Sequence, residues 1–393
     1  MVIVRRIRLK KKTVLFLTTG DIYPGNAGGT RYLESILQFL KEKGLSVTLL
    51  YFSNTESIEA QKYYENLVEQ HYWVEPGIQK LPLNLSLSIP AYVKMHLKKA
   101  MLDKITEIDG EAFDYVVFGQ LYMSIYARYL KHPKKYLIEQ NYESRIFLET
   151  CTSRFLKLCK NWQYSLMEKY EINILKNMDA IFAISDDEAV EFRRITEKPV
   201  IPLHPVFNPM PVRTEESLNI TFRNVMFVGS LFWEPNKEAA NWLVNKFMPT
   251  ARKKGLNIIL YIVGRDPGED LIEVGKKYED IIVTGGVPSI DPYYKKCDLF
   301  INAVFSGGGL NIKLVEAMAK GIPVLSSIYG CRGTKLRETN AVEIFCDENE
   351  LVQKVEDLLE NPSKRIKLVK EAKEFCHEYF TPCGEFCECF EIK

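Results

Sequence analysis

At 393 residues the chain has room for two core-bearing domains of roughly 150 residues each. Its 46% hydrophobic and 26% charged content is ordinary for a globular protein. A formal charge of +1 sets up no field that would recruit nucleic acid, and no arginine-rich tract with interleaved aromatics suggests RNA or DNA readout.

The first twelve residues are basic (Arg5, Arg6, Arg8, Lys10, Lys11, Lys12), and the apolar run Val14–Leu17 follows. That run is too short for a signal-peptide core, and no small-residue cleavage site comes after it. No apolar stretch reaches the roughly 18 residues a membrane-spanning helix needs. Nine cysteines at irregular spacing fit reduced thiols. These features predict a soluble or peripheral, cytoplasmic protein.

Thr13–Thr18 reads as a buried strand, followed by a glycine-rich loop (Gly20, Gly25, Gly28, Gly29). An amphipathic helix from about Thr30 to Lys43 is stopped by Gly44, and Val47–Phe52 is the next strand. The apolar segment Leu87 to Ile105, punctuated by Lys94, Lys98, Lys99 and Lys104, fits either an ordinary amphipathic helix or an interfacial one beside an anionic leaflet. Tyr115–Phe118 and Tyr136–Ile138 read as short strands, Glu168–Asn177 as helix and Ala180–Ile184 as strand. Ser185 caps a helix whose first turn holds Asp186, Asp187 and Glu188. Pro199, Pro202, Pro205, Pro209 and Pro211 suit an interdomain linker.

Beyond them the alternation restarts: Val225–Val228, a helix from Asn236, Ile258–Val263, Ile281–Val283, Leu299–Asn302, a helix bearing Lys313, and Pro323–Ser326. A last helix spans about Pro362 to Tyr379. Cys376, His377, Cys383, Cys387 and Cys389 crowd the tail without the two close pairs of a typical zinc site, so packing thiols are expected and no metal. Strand–helix alternation in both halves predicts two parallel sheets facing a central cleft at their carboxyl ends.

The run Ser306-Gly307-Gly308-Gly309-Leu310-Asn311-Ile312-Lys313-Leu314-Val315-Glu316, continuing to Gly321-Ile322-Pro323-Val324, is the most informative. Glycines let backbone approach a ligand closely, and a helix N-terminus offers N–H groups to an anion. At 3.6 residues per turn, positions 309, 313 and 316 share one helix face. A phosphate at the glycines would lie near the Lys313 ammonium, and the Glu316 carboxylate would accept ribose hydroxyls. By themselves the glycines fit a surface loop with solvated charges equally well.

The whole run resembles the nucleotide-sugar signature of retaining glycosyltransferase family 4. The resemblance extends in order through Phe227-Val228-Gly229-Ser230-Leu231, Pro235-Asn236, Ile262-Val263-Gly264-Arg265, Val283-Thr284-Gly285-Gly286-Val287, Pro292-Tyr293-Tyr294 and Gly330-Cys331-Arg332-Gly333. The first half is similar more loosely, at Pro24–Thr30, Asn141–Ser144, Glu171, Ser185 and Asp187. The resemblance implies the GT-B architecture, two Rossmann-like domains: an acceptor-side domain over 1–208, a nucleotide-sugar domain over 209–370, and a tail over 371–393 packing back on the first. It implies a ribose-binding role for Glu316 and a diphosphate contact for Lys313. Gly308, Gly309 and Leu310 would supply backbone N–H groups, while Gly229, Ser230, Gly264, Arg265 and Val287 would line the donor site and Gly28 and Gly29 would approach it.

The implied activity is transfer of a sugar from a nucleotide-diphosphate donor to an acceptor hydroxyl with retained anomeric configuration, without cofactor or divalent metal. The acceptor would be a glycan or lipid-linked glycan in polysaccharide, glycolipid or glycoconjugate synthesis, with peripheral contact at the inner membrane face as an expectation. Two departures stand out. Glycine occupies position 308, where the family often has a glutamate, and glutamines occupy Gly119-Gln120 and Glu139-Gln140-Asn141, where a histidine is common. A non-catalytic homologue and a nucleotide-sugar 2-epimerase are the alternatives on this scaffold.

Overall fold

The computed structural model describes residues 11–23, 28–54, 57–77, 88–109, 112–150, 160–206, 223–307, 310–382 and 384–392. It forms two units, one of Met1–Pro24, Leu33–Leu203 and Pro382–Lys393, the other of Gly25–Tyr32 and His204–Thr381.

The first unit is built on β1 (Thr13–Thr18), β2 (Ser46–Phe52), β3 (Gln70–Val74), β4 (Tyr115–Phe118), β5 (Lys134–Glu139), β6 (Ala180–Ala183) and β7 (Val200–Pro202). The strands run in the order β3-β2-β1-β4-β5-β6-β7, all pairings parallel. Val14 to Leu17 are wholly buried because helices cover both faces of a parallel sheet, which is why the strand reads as an unbroken apolar run.

The second unit contains β8 (Asn224–Val228), β9 (Ile259–Val263), β10 (Ile281–Gly285), β11 (Leu299–Asn302), β12 (Val324–Ser327) and β13 (Glu343–Phe345). Their order is β10-β9-β8-β11-β12-β13, again parallel. Each sheet changes winding direction once, between β1 and β4 and between β8 and β11. Such switch points open a crevice at the strand carboxyl ends.

Several expectations change. The first helix spans Gly28–Glu42, so Gly28 and Gly29 form its opening turn and are not loop residues. The proline-rich stretch begins as β7, an edge strand where Pro202 sacrifices no interior ladder bond; Pro209 and Pro211 lie outside the described residues. The lysine-punctuated segment holds two short helices, Ala91–Met95 and Lys99–Glu107. Their apolar residues Ala91, Val93, Met101 and Ile105 are buried in the core, so the face an interfacial helix would offer to lipid packs inside the protein. Among the described residues no helix is long and apolar enough to cross a membrane.

The cysteine-rich tail acts as an aromatic clasp on the first unit. In the short helix Gly384–Cys389, Phe386 packs on Phe182 at 4.8 Å between ring centroids and on Phe39 at 5.9 Å. Phe390 meets Tyr136 at 5.0 Å, and the Tyr136 hydroxyl donates to the Cys389 carbonyl at 2.5 Å. Burial pushes the Cys376 thiol up to about 12, so it is an inert packing group; Cys383 lies outside the described residues. In the second unit Arg365 is 1% exposed, and it donates to the carbonyls of Leu358 and Leu359 at the end of the helix Glu348–Glu360, a charge placement that complements the helix dipole.

Removing a buried phenyl ring costs both its transfer free energy and the cavity it leaves. Phe386→Ala should therefore lower stability by about 3–5 kcal/mol, read as a shift of the urea midpoint.

Candidate functional site

The switch point of the second sheet collects most of the residues singled out above. The carboxyl end of β8 delivers Val228, Gly229 and Ser230, and that of β9 delivers Gly264 and Arg265. The ladder continues past both strands through Gly229 N–H to Val263 O at 3.0 Å and Leu231 N–H to Arg265 O at 2.8 Å. This close approach is the local reason for glycine at 264, where a Cβ would stand 1.8 Å from the Gly229 carbonyl oxygen. Gly229 leaves room for the Asn236 amide, which would otherwise lie 2.7 Å from its Cβ.

Asn236, on the helix Glu234–Trp242, donates from Nδ2 to the Ser230 carbonyl at 3.0 Å. That bond turns Oδ1 toward Lys313, whose Nζ donates to it at 2.6 Å. The ammonium also sits 4.3 Å from the centroid of the Phe227 ring. Among the described residues no carboxylate pairs with Lys313. Burial without a counter-charge lowers its pKa to about 7.

Lys313 lies in the first turn of the helix Ile312–Ala319. The N-cap, Asn311, does not cap that helix with its side chain; its Nδ2 donates to the Gly330 carbonyl at 3.0 Å. The first turn thus has no side-chain cap, and two of its N–H groups, those of Ile312 and Leu314, donate to the Leu310 and Asn311 carbonyls at 3.0 Å. The loop leading to it is pinned at Gly307, whose carbonyl accepts from both Tyr329 and Arg332 and whose φ of +104° requires glycine. Gly308 and Gly309 lie outside the described residues.

One turn beyond Lys313, Glu316 is 4% exposed. Its Oε1 pairs with Arg31 Nη1 at 2.6 Å, and its Oε2 accepts from the Tyr294 hydroxyl at 3.2 Å. Burial raises the Glu316 pKa and Arg31 opposes that rise. Arg31 stands in the opening turn of the helix Gly28–Glu42, in the segment that belongs to the second unit.

A cavity of about 250 Å³ has Gly28, Arg31, Trp233, Asn236, Lys313 and Glu316 in its wall, with Gly229, Ser230 and Leu310 beside them. A smaller hollow of about 40 Å³ adjoins through Gly229 and Ser230 and is lined by Gly264, Arg265 and Val287. Arg265 is exposed at its rim. Of the catalytic and donor-site candidates that are described, Gly29 alone lines neither space. Arg31 and Trp233 join the cavity wall, and Tyr294 joins Glu316, from outside that set. Arg31 is 285 residues from its partner, a distance at which no sequence spacing signals contact.

In the first unit the two glutamines noted in the sequence tie strand ends together. Gln120 Oε1 accepts from Thr19 N–H at 3.1 Å, and Gln140 Nε2 donates to Gly119 O at 3.3 Å. Glu171 accepts from the N–H groups of Glu143 and Ser144 at 2.8 and 3.1 Å, capping the helix Glu143–Thr150 from another element. Ser185 caps its helix through the Glu188 N–H as expected, and Asp187 is exposed.

The glycines differ in what they can tolerate. Gly264→Ala drives a methyl into backbone and should cost about 3 kcal/mol or more. Gly28→Ala would meet only the Ile312 side chain, at 3.5 Å from Cδ1 and 3.8 Å from Cβ, and should be neutral or up to about 1 kcal/mol stabilising. Urea midpoints of the two variants check this contrast.

Residues 222–361 match the family model described as Glycosyl transferases group 1, a span that includes Asn236, Arg265, Lys313 and Glu316. Over 397 aligned residues the chain is 24% identical to an uncharacterized 44.6 kDa protein in the cps region of Klebsiella pneumoniae, covering 96% of this chain and 99% of that protein. Sucrose-phosphate synthase from Thermosynechococcus elongatus is 15% identical with a TM-score of 0.62, covering 97% of this chain and 96% of that one. Anabaena HepE, solved in complex with UDP-glucose, is 13% identical with a TM-score of 0.62, covering 94% and 95%. With two parallel-sheet α/β units alike in fold to these proteins over nearly their whole length, the chain has the GT-B fold.

Proposed function

We propose that this protein is a retaining glycosyltransferase of family 4 that moves a sugar from a nucleotide-diphosphate donor to an acceptor hydroxyl. One observation carries the reading. Lys313 is a cation with no carboxylate partner among the described residues, held by an amide at a helix N-terminus, one turn from the buried carboxylate Glu316. The first group is complementary to a diphosphate and the second to ribose hydroxyls. The Glycosyl transferases group 1 match supports this reading, as do the neighbours solved with UDP and UDP-glucose.

In the proposed reaction the bond from the sugar C1 to the phosphate oxygen breaks, and its electron pair stays on the diphosphate. Lys313 and the adjoining helix N-terminus stabilise that charge more strongly as it grows, which lowers the barrier. The acceptor oxygen bonds to C1 on the same face and passes its proton to the departing phosphate oxygen. No side-chain base, cofactor or divalent metal is needed in this scheme. The hollow at Arg265 and Val287 is assigned to the donor end, and Gly28 to close approach of the diphosphate. The acceptor is a glycan or lipid-linked glycan in polysaccharide, glycolipid or glycoconjugate synthesis, and the cytoplasm, where nucleotide-sugars are made, is the proposed compartment. The cps-region relative is the support for the first of these settings.

Incubation with UDP-, GDP- and ADP-sugars, followed by mass spectrometry, should show a free nucleoside diphosphate and a glycosylated acceptor whose anomeric configuration is retained by NMR. An epimeric nucleotide-sugar would make the protein an isomerase, and binding without turnover would make it an inert homologue. Lys313→Met should lower kcat/KM by roughly 10²–10³-fold.

The depressed Lys313 pKa fixes a pH dependence. A bound diphosphate favours the charged lysine, so above about pH 7 affinity should fall as pH rises, by at most about tenfold per pH unit. Calorimetry in buffers of different ionisation enthalpy should show proton uptake on binding, abolished in Lys313→Met. Between about 7 and the ordinary 10.5 the unfolded chain holds this proton and the folded chain does not, so the lysine makes stability rise with pH across that window.

A further inference from the structure

We infer that Arg31 is a positioning residue for the ribose end of the donor, holding Glu316 as an oriented carboxylate whose remaining lone pairs receive two ribose hydroxyls. The inference rests on the nucleotide reading of the site and names a residue that reading does not require.

A carboxylate offers about four acceptor positions, two on each oxygen. Arg31 Nη1 takes one on Oε1 and Tyr294 takes one on Oε2. Among the described residues one position therefore remains on each oxygen, and two acceptors on one planar group match a vicinal diol. Both existing donors also fix the orientation of the plane, so the ribose meets a preorganised group. Protonation would spoil the match, because one oxygen would become a donor and the surviving bonds would lose their charge assistance.

Every group around Glu316 acts on that proton. Burial favours the protonated form, and so does Asp291 on the helix Asp291–Lys296. Arg31 and Lys320 favour the carboxylate, and so does the hydrogen bond from Tyr294. Lys320 is itself paired with Asp291 at 2.9 Å, and Lys313 on the same helix is clamped by Asn236. Arg31 is the cation in direct contact with the Glu316 carboxylate, at 2.6 Å, and it reaches there with only 23% of its side chain exposed.

The test is the ratio of affinities for UDP, GDP or ADP over the matching 2′,3′-dideoxynucleoside diphosphate, measured calorimetrically at about pH 6 and about pH 9. The ratio cancels the titration of Lys313, which acts on the diphosphate common to both ligands. The wild-type protein should prefer the ribonucleotide by about 10–100-fold at both pH values. In Arg31→Met the preference should fall to within about threefold near pH 6 and recover toward pH 9, because rising pH opposes the burial that favours the protonated carboxyl. Arg31→Lys should retain most of it.

A wild-type preference in Arg31→Met near pH 6, or an equal loss at both pH values, would overturn the inference, since a merely structural arginine has no reason to be rescued by pH. If Arg31→Met does not fold by circular dichroism, Glu316→Gln serves instead: with Arg31 intact and no charge to regain, it should lack the preference at both pH values, and keeping it would refute the proposal. If the wild-type protein binds none of the three nucleoside diphosphates, the nucleotide reading itself fails, an outcome separate from any effect at Arg31.

Discussion

An ammonium held against an aromatic ring and an amide, with no carboxylate to neutralise it among the described residues, is the constraint around which the carboxyl edge of the second sheet is arranged. Burying such a charge is unfavourable, which is why the pKa of Lys313 lies below the ordinary lysine range. The surrounding structure holds it there through a chain of small requirements. Gly264 lets the end of β9 approach Gly229, and Gly229 makes room for Asn236. Ser230 then orients the amide so that its oxygen meets the lysine. A defect at any link would leave the ammonium in another position or without its clamp.

Glu316 is the counterpart of the opposite sign. It is nearly inaccessible, yet it is joined by a guanidinium and a phenol that come from different parts of the chain. Lys313 and Glu316 share one helix but do not pair with each other among the described residues: Lys313 is held by Asn236 and Glu316 by Arg31. A cation and an anion kept apart in one cavity suit a molecule with phosphates at one place and hydroxyls at another. The core of the second unit gives this edge its rigidity, with β8 and β11 buried in it.

The first unit places acid where the second places base. At the carboxyl end of β5, Glu139 is wholly buried with neither oxygen hydrogen-bonded among the described residues, and burial beside Glu171 and Glu143 holds its pKa well above the carboxylate range. Glu171, raised to about 7 mainly by burial, caps a neighbouring helix. Glu171 carries a structural duty that the local sequence Glu143-Ser144 does not announce, because it reaches those N–H groups from another helix.

The sequence by itself determined the alternation of strands and helices, the parallel character of both sheets and the placement of Lys313 and Glu316 on one helix face. Those properties follow from local periodicity: buried strands such as Val14–Leu17 are apolar throughout, and positions three residues apart on a helix share a side. Short edge strands such as Gln70–Val74 and Glu343–Phe345 are not legible in the sequence, because three to five residues carry too little pattern. Only the tertiary structure could decide that Gly28 opens a helix and that Val93, Met101 and Ile105 face inward. It alone could bring Arg31 and Tyr294 to Glu316. Those facts depend on contacts between residues tens to hundreds of positions apart, and such contacts are settled by how the elements pack.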